Sequence, residues 1–403
     1  MRYPAFLAFL LSTALCLPAQ AQTDPKEDPG VQFQAVYKSE VISVLSGGLK
    51  PGTQYLGNLD LTLDMDLEKL AGWDDTQLFL YFLAVHGGDP SAENIGDFQV
   101  RSNIEADDTA RLYEAWLEKR FLEDRLSLRV GLYDLNSEFD KMETASYFLN
   151  SSHGIGADYA QTGLNGPSIF PVTSLAARLR YQPEPGFYAQ VALLDGVPGD
   201  SDRPYGTHML LHPADGLLIS GELGSLQGED PENDPDGKIA VGAWTFTEPF
   251  EDVLEATELG EPVMRSGNHG AYILAERKVY RESADPGQGL SLFARYGIAD
   301  SRVNQLSSYA GAGLAYRGPF PDRDEDVFGL AVAAARNGAA FREAQPALGS
   351  PVDQWEVSLE LTYRAQVTPW LAIQPDLQYI VNPGMDPSLE NAFTAGVRFE
   401  IAP

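Results

Sequence analysis

From Val31 to Ile401 the chain alternates apolar and polar residues again and again, yet after residue 21 it holds no uninterrupted apolar run approaching the roughly 20 residues a helix needs to cross a bilayer. The cleanest stretch sets Leu59, Leu61, Leu63, Met65 and Leu67 against Asp60, Thr62, Asp64, Asp66 and Glu68. Near the other end, Trp355, Val357, Leu359, Leu361 and Tyr363 oppose Glu356, Ser358, Glu360, Thr362 and Arg364. Spacing of two is that of a strand with one apolar and one polar face. A soluble sheet accommodates one such strand, but here the pattern recurs about sixteen times, the even count of single-chain bacterial barrels. In hydrocarbon every backbone N–H and C=O must find a partner within the protein, so a spanning chain without long apolar helices has to close its strands on themselves. The expected fold is therefore all-β: a transmembrane antiparallel β-barrel of about sixteen strands, apolar side outward and acidic side inward.

The connections sort into two kinds. Short turns such as residues 183–186 (PEPG) alternate with long ones such as Gly196 to Asp215, the arrangement of short turns on one rim and long loops on the other. Ser137 to Thr173 is the longest stretch without alternation and is rich in Gly, Ser, Asn and Asp. Loops of that length in ordered domains are usually functional, and in a barrel its place is the lumen, as a constriction. Thr76 to His86 is apolar on both faces, which predicts a subunit contact or an inward plug. Further strands are expected over Ala110 to Phe121, Leu126 to Asn136, Lys238 to Phe246 and Gly270 to Tyr280, with Tyr113, Ala115 and Leu117 on the face opposite Glu114, Trp116 and Glu118.

The ends and the charge bound the setting. Residues 1–21 carry Arg2, an apolar run and Ala19-Gln20-Ala21, which reads as a secretory signal peptide. Residues 22–30 are a polar, flexible lead, leaving 31–403 as the barrel. Cys16, the only cysteine, leaves with the leader, so the exported chain relies on its sheet rather than on disulfides. Twenty-eight basic against 58 acidic residues gives 28 − 58 = −30, which excludes a nucleic-acid surface.

Particular residues carry a resemblance. Tyr363-Arg364, Thr368-Pro369-Trp370, Gln374 through Ile380 and Asn382-Pro383-Gly384 resemble the C-terminal signature of the carbohydrate-selective porins, the OprB family. Tyr113 through Leu117, Val130 through Asn136, Glu138-Phe139, Phe148 through Ser152 and Phe170-Pro171 are similar to its midsection. The resemblance implies a sixteen-stranded barrel of the Gram-negative outer membrane through which monosaccharides and polyols diffuse passively. Trp370, Tyr379 and Tyr363 fit an aromatic girdle. Phe399 stands where barrel-assembly machinery would read a terminal aromatic, ahead of Ile401-Ala402-Pro403.

Recognising a neutral polyol takes charged or polar groups that exchange hydrogen bonds with hydroxyls, and aromatic faces for the C–H side of the ring. Inward parity selects Arg129, Arg178 and Arg180, with Arg295 and Arg364 on later strands; carboxylates stabilise arginines in such a lumen. Glu138 and Asp140 on the long loop and Glu114 and Glu118 on the wall are their expected partners, and Trp116 and Tyr133 the expected stacking faces. No catalytic set is expected: a barrel esterase needs Ser, His and Asn or Asp together on the wall, and of the five histidines His86, His153, His208 and His212 fall in or beside loops. No cofactor or metal is expected either: Glu232 to Gly237 starts like a calcium loop, but its twelfth position is Ala243. Two rival functions stay open, a cation-preferring diffusion channel drawn by the negative charge and a plugged structural or adhesive barrel. Expected partners are small neutral sugars and the surrounding lipid and lipopolysaccharide, with the chain a monomer or homotrimer.

Overall fold

The computed structural model describes residues 29–403 except 229, 232–234, 284, 286 and 348. The expected signal peptide and residues 22–28 of the lead lie outside the described residues, as do positions 232–234 of the calcium-like run. Sixteen antiparallel strands close into one barrel, each paired with its neighbours in sequence and the last with the first. The first eight are β1 (Val31–Gly48), β2 (Gly52–Asp66), β3 (Thr76–Gly87), β4 (Thr109–Phe121), β5 (Leu126–Tyr133), β6 (Ser174–Glu184), β7 (Phe187–Asp195) and β8 (Leu217–Gln227). The others are β9 (Gly237–Ala256), β10 (Pro262–Arg281), β11 (Gly289–Ala299), β12 (Leu306–Arg317), β13 (Val327–Asn337), β14 (Trp355–Thr368), β15 (Leu371–Val381) and β16 (Glu390–Ile401). Closure runs from Tyr37↔Ile401 to Gly48↔Glu390. Among the described residues no helix is long and apolar enough to cross a membrane.

The barrel is inside-out relative to a soluble sheet. On β14, Glu356, Ser358, Glu360 and Thr362 are each at most 1% exposed, whereas Leu359 and Leu361 are 46% and 39% exposed. The period-2 pattern thus sends polar groups to the lumen and aliphatic groups to lipid, as the alternation predicts. Tight turns such as 122–125, 185–186 and 369–370 occupy one rim, and 88–108, 134–173, 196–216 and 338–354 the other.

Four features depart from the sequence expectations. β5 ends at Tyr133, short of Asn136, because the Asp134 side chain accepts Asn136 N at 2.8 Å and turns the chain into the lumen. A bulge between Tyr81↔Glu114 and Phe82↔Leu112 leaves Tyr113 as an extra residue, and Tyr113 is buried with Glu114 rather than on the face opposite it. β9 and β10 continue well past Phe246 and Gly270 as a hairpin on the long-loop rim, where the helix Ala339–Ala347 packs against β9. Finally, one half of the lumen is not a polar pore. Phe139, Met142, Phe148 and Tyr159 from the long loop pack with Tyr133, Trp244, Tyr272 and Phe293 from the wall as an internal core. On β3 it is the inward face that is engaged: Phe79 stacks on Trp116 with centroids 4.9 Å apart, and Tyr81 meets Tyr113 edge-on at 4.9 Å.

Candidate functional site

Two loops, not one, enter the barrel, and the acidic wall holds them. Glu276 accepts from Glu143 N (3.1 Å) and Thr144 N (2.7 Å), and Glu360 from Leu149 N (2.6 Å) and Asn150 N (3.0 Å). Glu356 does the same for the second loop, taking Phe98 N at 2.8 Å and Gln99 N at 2.9 Å. Each of the three glutamates therefore clasps two consecutive amides of an irregular segment that has no sheet to satisfy them. Asp140 docks the long loop against β11 through Arg295, whose Nε and Nη2 lie 3.0 and 2.7 Å from its carboxylate; Asp158 holds the same guanidinium. Gly156 and Gly297 flank this pair, and a Cβ at either would collide with Arg295 or Asp158. Burial pushes the Asp140 carboxyl up to about 6 despite Arg295. The second loop fastens to the closing seam: Arg101, buried, donates to Asp376 Oδ1 at 2.6 Å, and Ser102 to Glu40 at 3.0 Å.

Most of the residues selected by inward parity come together on β4, β5 and β6. Arg129 Nε is 2.9 Å from Glu118 Oε2, and Arg178 bridges that oxygen (2.5 Å) to Glu138 Oε2 (2.7 Å). Tyr133 donates to Glu138 at 2.6 Å. Burial alone would raise the Glu138 carboxyl, but Arg129 and Arg178 hold it below the usual range. The Arg129 guanidinium carbon lies 3.6 Å from the Trp116 ring centroid, and the indole N–H donates to Glu114 at 3.1 Å. With Phe79 and Arg129 both on its ring, Trp116 acts as a platform for the arginine rather than as a free stacking face, and Tyr133 is likewise covered. Arg178 is 1% exposed against 14% for Arg129, so Arg178 serves as an anchor and Arg129 faces the lumen. Arg180 leans over Tyr188 at 4.3 Å and donates to Gln190 at 3.1 Å. Asp140 is not part of this group, being taken by Arg295.

Open space lies on both sides of the long loop. Glu138, Arg180, Tyr188, Lys238 and Glu276 line a cavity of about 440 Å³. A larger one of about 820 Å³ runs along the seam, bordered by Lys38, Asp60, Tyr81, Arg364, Arg398 and Glu400, and Tyr147 lines both. Lys38 pairs with Asp60 at 3.1 Å and Arg364 with Glu400 at 2.8 Å. Of these seam cations, Arg364 is among the residues inward parity selects. Lys38 and Arg398 carry the same signal, alternating with Tyr37 and with Val397 and Phe399, but the strands bearing them are remote in sequence and only closure of the barrel makes them neighbours. Glu105 lines the seam cavity and the vestibule of about 460 Å³ above it. Burial and a hydrogen bond with Asp89 push its carboxyl up to about 10, so it is neutral near pH 7.

Comparison with known proteins points the same way. The family model described as carbohydrate-selective porin, OprB family, matches residues 50–402. The chain is 27% identical to Porin B of Pseudomonas aeruginosa over 406 residues, covering 93% of this chain and 87% of that protein. It is 22% identical to the putative porin QuiX of Acinetobacter baylyi, covering 93% and 90%. A high-pH structure of Pseudomonas putida OprB superposes with a TM-score of 0.84 at 24% identity, covering 93% of this chain and 95% of that one. The DcaP channel of Acinetobacter baumannii shares the fold at a TM-score of 0.58 and 10% identity, with coverage of 93% and 97%.

Proposed function

The chain belongs to the carbohydrate-selective porin family OprB and is an outer-membrane carbohydrate porin, and on that footing we propose that neutral monosaccharides and polyols cross it by passive diffusion past the cluster on β4, β5 and β6. The observation that carries this reading is the column Phe79–Trp116–Arg129, which holds a planar donor array at the lumen face with Glu118 and Glu138 beside it. Donor and acceptor sit side by side there, matching the paired character of a sugar hydroxyl, and the ion pairs fix both before the solute arrives. Arg129, Arg180 and Glu138 are the solute-facing members; Arg178, Glu118, Glu114, Trp116 and Tyr133 keep them in place. Asp140 contributes by docking the loop. Lys38, Arg364 and Arg398 line the seam side of the same route. Export by a cleaved leader and insertion through recognition of Phe399 complete the reading, with the chain acting as a monomer or homotrimer.

Arg129→Ala tests it in reconstituted vesicles. Losing one charged hydrogen-bond donor, worth about 1.5 kcal/mol or more, should weaken half-saturation for glucose roughly tenfold and raise cation selectivity. Unchanged glucose flux and ion selectivity would remove Arg129 from the solute path.

A further inference from the structure

The barrel wall has a notch that a loop fills. β4 pairs with β5 only from Ala115 to Phe121, because the chain leaves the wall after Tyr133. The upper part of β4, Thr109 to Glu114, therefore has β3 on one side and no strand on the other. An open strand edge facing lipid is not tolerated unless its groups are satisfied otherwise. Thr207, from the loop between β7 and β8, partners the backbone of Leu112, Thr173 donates to Tyr113 O, and Pro204 takes side chains of the same edge. Leu112 N donates to Thr207 Oγ1 at 2.7 Å, and that hydroxyl donates back to Leu112 O at 3.2 Å. Thr109 Oγ1 donates to Pro204 O at 3.2 Å, and Arg111 donates to the same carbonyl.

The chain that follows exposes a run of three apolar residues. After Asp200, Asp202 and Arg203 come Met209, Leu210 and Leu211, exposed by 57%, 46% and 68%. Leu211 and Pro213 enclose a groove of about 550 Å³ with Leu175, Leu193 and Leu217. Those three are outward residues on β6, β7 and β8, at the long-loop end of the lipid-facing band that Leu179, Val191 and Leu223 continue. Of the neighbouring histidines, His208 Nε2 bonds with Tyr205 O at 3.0 Å, and His212 Nδ1 accepts Ala214 N at 3.1 Å while its side chain stays 70% exposed.

We propose that residues 204–213 are a segment of the barrel wall rather than a solvated loop, with Met209, Leu210 and Leu211 immersed among acyl chains of the outer leaflet and the groove at Leu211 holding one such chain. Continuity with the lipid-facing band identifies the occupant, since the leucines that dominate the groove's lining join those of the strands, with Asp195 and His212 its polar members. Long loops mark the outward rim of such barrels, which places the segment in the outer leaflet.

Site-directed spin labelling tests this. Labels at Leu211→Cys, Leu193→Cys and Leu259→Cys, each introduced singly, are compared in phosphatidylcholine vesicles, folding being checked by heat-modifiable mobility. Leu193 is the lipid reference; Leu259, 88% exposed on the turn between β9 and β10, is the aqueous one. The label at 211 is expected to match 193, open to oxygen and shielded from a water-soluble nickel chelate. Thr207→Val, which removes both bonds to Leu112 with little change of shape, should increase chelate access at 211. Access at 211 equal to that at 259 would overturn the proposal, as would an unaltered 211 in Thr207→Val. Dipolar broadening at 211 that disappears on dilution with unlabelled protein would overturn it too, by showing that a second copy covers the patch.

Discussion

Arg178 and His153 show how burial decides what a polar side chain does here. Arg178 is enclosed between Glu118 and Glu138 and also bonds Ser127 Oγ at 2.5 Å. Replacing it with alanine leaves Glu118 and Glu138 to share Arg129 as their bonded cation, a loss below the about 3–5 kcal/mol of a fully broken buried pair. Arg178→Ala should therefore lower the unfolding temperature in detergent, whereas Arg129→Ala, at a more exposed position, should change flux with a smaller effect on stability. His153 lies against Phe148 and Phe293, and neither ring nitrogen finds a hydrogen-bond partner among the described residues. Burial brings its pKa down from 6.5 to about 3. The folded value lies below the free one, so the contribution of neutral His153 to loop docking is intact above pH 6.5 and is withdrawn as pH falls toward about 3. At one and a third kcal/mol per unit the penalty approaches about 5 kcal/mol, reduced by Glu360, whose Oε2 stands 3.9 Å from Nε2. Protection of the long loop's amides, relative to their intrinsic exchange rates, should fall as pH drops from 6 to 4 in the parent and much less in His153→Phe, which keeps the aromatic packing without the titrating group.

At the scale of elements, three glutamate clasps convert a polar wall into anchorage for two loops. Glu360→Ala should free the amides of Leu149 and Asn150, costing about 1 kcal/mol for each bond, with faster exchange confined to that part of the loop and noisier single-channel current. Exchange unchanged at both amides would mean the wall glutamate is not what holds them. The strands themselves were legible because lipid outside and water inside impose opposite polarity on successive residues, as Leu359 and Glu360 show. Parity also identified Glu356 and Glu360 as inward, but not what they bind, since the loop amides they accept belong to segments with no period. The second lumen loop was hidden for the same reason: Gly87-Gly88-Asp89-Pro90 opens a loop, but the residues after it carry no period that points them into the barrel. Beyond Phe246, β9 carries Glu248, Pro249, Glu251 and Asp252, a run without the apolar alternation that marks a strand, and the bulge that turns Tyr113 inward leaves no trace in the pattern.

For the molecule as a whole, sequence showed that a barrel forms but not which part of it stays open. Tyr133, Trp244 and Tyr272 obey inward parity, yet only their contacts with Phe139 and Tyr159 show that this half of the lumen is packed. The remaining space follows Glu138, Arg180, Lys238 and Glu276 on one side of the long loop and the seam on the other, where cations and carboxylates stand in pairs. Such pairs set a donor beside an acceptor along the route, which is the polarity a neutral polyol can use. The central claim is thus selectivity for sugars by chemistry rather than by size or charge. The most direct measurement is liposome swelling with glucose beside neutral and cationic amino acids of similar size. Glucose should enter distinctly faster than either; entry ordered by size alone, or led by the cationic solute, would contradict the account.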